Sequence, residues 1–122
     1  MIRTTRPVFR AALGLFVAAL IVLASGPGFR SRRKLDEHYA KHGAEFGRIT
    51  QVEYLERAQA LRDAPAGGPV LEAVTPEGIV SKFDRRSGAF GAFNPDRTIR
   101  TFFIPNAGER YFHRQAQKRD AN

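Results

Sequence analysis

The chain has no cysteine, which excludes disulfide bridges, thiolate catalysis and cysteine-ligated zinc together. It also lacks acidic residues over its first 34 positions, which hold seven Lys/Arg. The apolar run at residues 11–24 is fourteen apolar or glycine residues, short of the about 20 that a full membrane span needs. At 122 residues the chain suits one domain. With fewer than 100 residues left for a core, it would bury somewhat over ~60% of its unfolded surface, so stability must come from packing.

Arg3, Arg6 and Arg10 before that apolar run make a leader of residues 1–24. A small-residue site after Ala24 fits a cleaved signal peptide. Extension through residues 25–28 fits an uncleaved signal anchor, which would hold the protein to the membrane by residues 11–28. Both imply export, to a secreted or membrane-anchored location. Residues 25–33 read as a Gly/Pro/Arg linker and 34–119 as the functional domain.

The net charge of +8 is concentrated in the leader region, because residues 35–122 hold thirteen basic against twelve acidic side chains. Within the domain the signs separate. Residues 35–64 have four basic and six acidic side chains, whereas 82–114 have seven basic and three acidic, so the later region is the candidate anion-binding face.

Leu35, Tyr39, His42 and Phe46 fall at helical spacing, with a histidine on an otherwise apolar stripe, and Gly47 is placed to end the helix. Thr50 and Glu53 form a capping box, with Ile49 and Tyr54 as a hydrophobic staple. The second helix then covers 51–63 with Val52, Leu55, Ala58 and Leu61 inward. After the break at 65–69, short alternating runs at 70–75, 79–83, 89–93 and 98–104 are separated by Gly, Pro and Asn turns, the pattern of an antiparallel meander. Residues 109–118 make a last strand or helix. The expected class is α+β: an apolar leader helix, then two N-terminal helices packed on one face of a four- to five-stranded antiparallel sheet.

The chemistry concentrates at residues 34–47. His38 and His42 are i,i+4 neighbours, and Lys41 lies three residues after His38. Two proton carriers beside a cation are the kit for RNA cleavage by the 2′-hydroxyl, which needs a base, an acid and a charge on the phosphate, and no metal or other cofactor. Alternation on the last strand puts Arg100 with Phe102 on one face and Thr101 with Phe103 on the other. Lys82, Arg85 and Arg86 are further phosphate candidates, and Tyr111 and His113 bring an aromatic and an imidazole near the C-terminus.

The Lys41, His42, Phe46, Gly47 core, the helix after it and the strand Ile99, Arg100, Thr101, Phe102, Phe103 resemble the nuclease domain of colicin D. That domain belongs to the barnase, EndoU, colicin and RelE superfamily of toxin RNases. The resemblance covers about residues 34–117. It implies an endoribonuclease toxin cutting tRNA loops to 2′,3′-cyclic phosphate ends, partnered by a small acidic immunity protein. His42 matches the central catalytic histidine and would be the general base that takes the 2′-hydroxyl proton, with Lys41 and Arg100 holding the phosphate. Thr101 and Phe103 stand where that domain has a serine and a tryptophan, for a phosphate hydrogen bond and base stacking, and His38 or His113 would be the acid.

Three other readings use the same residues. Zinc held by His38, His42 and His113 lacks the glutamate of a H-E-x-x-H helix. The fold could serve as a non-catalytic exported binding module. Or the basic linker could bind anionic lipid behind a signal anchor.

Overall fold

The computed structural model describes residues 26–120, so the leader and its apolar helix lie outside the described residues. Helix α1 spans Arg32–His42 and runs into a single 3-10 turn at Gly43–Phe46. Ser31 caps α1 by accepting from the Lys34 N–H at 3.1 Å. The helix therefore begins inside the segment expected to be a linker. Its α-helical part ends at His42, and Gly47, at φ 87°, closes the 3-10 turn.

Helix α2 is Gln51–Asp63, opened by the expected capping box: Glu53 N–H donates to Thr50 Oγ1, and Thr50 N–H to Glu53 Oε1. Its inner face differs from the expected one. Ala58 and Leu61 are buried as expected and Leu55 packs against the core, but Val52 is 63% exposed and Tyr54 is buried in its place. A tyrosine reads as half polar in a sequence, but the Tyr54 hydroxyl donates to the Phe102 carbonyl and so enters the core satisfied.

Strands β1 (Val70–Val74), β2 (Val80–Asp84), β3 (Phe90–Phe93) and β4 (Ile99–Phe103) form the antiparallel meander in chain order. Helix α3, Glu109–Asp120, follows them. The fold is α+β. On one sheet face, Tyr54, Ala58 and Leu61 of α2 pack on Ala89, Phe93, Ile99 and Phe102, joined by Leu35 and Tyr39 of α1. Gly91 permits this approach, since a Cβ there would lie 2.7 Å from the Phe93 ring and 3.2 Å from Leu61. The two N-terminal helices thus share one face, as expected, and the C-terminal helix covers the opposite one. There Phe112 of α3 packs on Phe83, Phe90 and Ala92.

Two features shape the β4 edge. Ile99 N–H donates to the Gly28 carbonyl at 2.9 Å, so the chain before α1 is joined to β4 by a single parallel bridge between Phe29 and Ile99. Ala92 pairs with Thr101 but Phe93 with Ile99, leaving Arg100 as the unpaired residue of a β-bulge. Among the described residues no helix is long and apolar enough to cross a membrane.

Candidate functional site

A cleft of about 400 Å³ opens between α1, β4 and α3, within the ~300–1,000 Å³ usual for small-ligand sites. Phe29 and Arg30 from the docked segment, Lys34 and His38 from α1, Asn94, Arg100 and Thr101 around β4, and Tyr111 and Gln115 from α3 line it. Three cations converge there, and no carboxylate is among the lining residues.

Arg100 reaches this cleft because of the bulge. Strict alternation would place it beside Phe102, in the α2 face. The extra residue instead sends Phe102 and Ile99 together into the α2 core and puts Arg100 on the cleft wall with Thr101. Its guanidinium donates to Asn94 Oδ1 at 2.9 Å.

His38 stacks on Phe29 with ring centroids 4.8 Å apart. Burial, then the positive charge of His42 and Lys34, lowers its pKa, and Glu37 only partly opposes them. Its Nδ1 is buried with no hydrogen-bond partner. Leaving such an atom unsatisfied costs about 1–3 kcal/mol.

His42 lies beside it, ring centroids 6.2 Å apart, outside the cleft lining. It is the last α1 residue, and its side chain is only 14% exposed. Glu45 Oε2 sits 2.7 Å from His42 Nδ1, which fixes that nitrogen as the protonated one and leaves Nε2 to exchange a proton. The ring rests on Phe103 at 5.1 Å. Phe103 also meets Phe90 at 5.7 Å and Tyr111 at 5.2 Å, so it forms a wall behind His42. Lys41 is exposed on α1.

The other expected residues are not gathered here. Lys82 is buried, 5% exposed, and its ammonium donates to the carbonyls of Arg62 and Ala64, closing the C-terminus of α2. Arg85 grips Glu109 through two bonds, of 2.6 and 3.2 Å, and Arg86 is exposed in the β2–β3 turn. His113 faces the same Glu109 at 3.0 Å. That pair holds the Glu109 carboxyl down at about 2, Arg85 first and His113 second. Among the described residues no three His, Cys, Asp or Glu side chains converge as metal ligands, so the trio of His38, His42 and His113 is not assembled.

Arg30, Lys34, Asn94 and Gln115 were not expected in the site. Arg30 stands in the stretch that reads as linker, Lys34 is the first residue of the expected domain, and Asn94 lies in a turn. Glu45, three residues after His42, was the one visible signal of an orienting carboxylate. No protein-family model matches the chain and no curated protein matches it, so the resemblance to toxin RNases rests on its own residues.

Proposed function

We propose that the chain is a metal-independent endoribonuclease of toxin type, which cuts single-stranded RNA such as tRNA loops and leaves 2′,3′-cyclic phosphate ends. One observation carries the reading: a cleft with three cations and no acid, with a histidine held toward its neutral form on its wall. The phosphate would lie among Arg100, Lys34 and Arg30, with the Thr101 hydroxyl on a non-bridging oxygen, where negative charge grows in the transition state. His38 takes the 2′-hydroxyl proton as the new oxygen–phosphorus bond forms. His42 Nε2 gives a proton to the departing 5′-oxygen as that bond breaks. These roles reverse the expectation that His42 is the base, because His38 is the histidine that lines the cleft. Tyr111 offers an aromatic surface to a base. Export or tethering through the leader and a small acidic immunity partner belong to the same proposal.

The competing reading, a non-catalytic binding module, draws on how closely Glu45 and Phe103 enclose His42. Incubating the full-length chain with total tRNA and mapping the ends separates the two. Cyclic phosphate and 5′-hydroxyl termini, lost in a folded His38→Ala variant, support the enzyme. RNA that binds but stays intact supports the module.

A further inference from the structure

Helix α3 carries a second set of cations on its outward side. Arg110, Arg114 and Lys118 recur at i,i+4 spacing, and all three are exposed. Among the described residues none has an ion-pair partner. On α1, by contrast, Arg32 pairs with Asp36 and Arg33 with Glu37 at the same spacing. Like charges four residues apart destabilise a helix. Glu109, the acid of the first turn, is already committed to Arg85 and His113. The helix dipole rewards a cation at the C-terminal end, which accounts for Lys118, but it disfavours Arg110 in the first turn.

The position of this stripe gives it meaning. Arg114 is the i+3 neighbour of Tyr111, and Lys118 of Gln115, so these two cations lie beside residues that line the cleft, and Arg110 continues their row by one turn. Successive cations are about 6 Å apart along the axis, which is about one phosphate step of an extended strand. We propose that this flank of α3 is a second RNA contact, a track that holds the phosphates of the strand after it leaves the cleft. The proposal rests on the ribonuclease reading of that cleft. It names the substrate as a single strand longer than the cleft itself can cover.

The test uses the full-length chain and its triple variant Arg110→Gln, Arg114→Gln, Lys118→Gln. Binding is measured on a fluorescent 2′-deoxy oligonucleotide, which cannot be cut by 2′-hydroxyl attack, and cleavage on a dinucleoside monophosphate, which reaches only the cleft. The slope of log K against log salt should fall by about 2, since each single-strand phosphate contact is worth about 0.7. Dinucleotide cleavage should hold within about twofold, and a triple lysine-and-arginine swap (Arg110→Lys, Arg114→Lys, Lys118→Arg) should restore the slope. An unchanged slope in the folded Gln variant overturns the track. So does a parallel loss of dinucleotide cleavage, or loss of binding to phosphatidylserine vesicles with the oligonucleotide slope unmoved, which would make the flank a membrane surface. If the slope falls but the wild type cuts nothing, the track stands and the ribonuclease reading fails.

Discussion

Glu45 ties His42 to the edge of the sheet. Its Oε2 lies 2.7 Å from His42 Nδ1 while its Oε1 accepts the Ile104 N–H at 2.8 Å, so one carboxylate couples the end of α1 to the end of β4. The histidine is thereby fixed in tautomer, and the carboxylate in position.

The first prediction concerns that coupling. Glu45→Gln keeps an acceptor for Ile104 but not a second one for His42. It should lower kcat about tenfold or more with KM little changed, since a proton carrier in the wrong tautomer fails in the chemical step. Steady-state kinetics with a melt of each variant checks this. An equal fall in thermal midpoint and activity would make Glu45 merely structural.

Tyr54→Phe should destabilise without touching catalysis. Burial, with Glu45 adding to it, pushes the Tyr54 phenol well above its usual value, so it remains a donor to Phe102 O. Removing it strands a buried carbonyl at about 1–3 kcal/mol. For a domain of this size the thermal midpoint should drop by at least about 4 °C, while the specific activity of the folded fraction stays at wild type.

Stability should also depend on pH in two separable windows. The folded pKa of His38 is lowered, so the unfolded chain binds its proton more readily and stability falls as pH drops through 6.5 toward the folded value. Glu109 keeps its contribution until pH falls below about 4.5 and loses it toward about 2. Melting wild type, His38→Gln and Glu109→Gln from pH 7 to 2 should remove the upper window in the first variant and the lower one in the second. Identical profiles for all three would contradict both assignments.

The elements were legible where local chemistry sets them. The Thr50 and Glu53 capping box fixed the start of α2, and Gly, Pro and Asn turns separated four strands within a residue or two of their ends. What escaped depends on tertiary context. The rotation of α2 that exposes Val52 follows from Tyr54 finding Phe102 O across 48 positions. The bulge at Arg100 follows from the fit of β4 to β3, and alternation alone puts that side chain on the wrong face. Docking of the residues before α1 turned Arg30 from linker into cleft wall, because the backbone bond from Ile99 to Gly28 and the side chains of Gln59 and Arg62 on the Gly26 and Pro27 carbonyls hold the segment there.

The last prediction separates two cations that look alike in the sequence. Arg100 is exposed on the cleft and Lys82 is buried beneath α2. Arg100→Ala should lower the salt slope of single-strand binding by about 0.7, the loss of one phosphate contact, with folding intact. Lys82→Ala removes the donor to two carbonyls, Arg62 O and Ala64 O. It also leaves the nearby Glu72 carboxylate, 3.4 Å from that ammonium, without its partner. It should therefore lower the thermal midpoint by several degrees while leaving the salt slope of the folded protein where it was. Thr101→Ala adds a third behaviour, slowing cleavage more than it weakens binding, because its hydroxyl matters most when charge builds on the phosphate. Salt titrations and melts on the same three preparations read all of this at once. If Lys82→Ala flattened the salt slope and Arg100→Ala did not, the anion site would lie on the β1–β2 side of the sheet and the cleft assignment would be wrong.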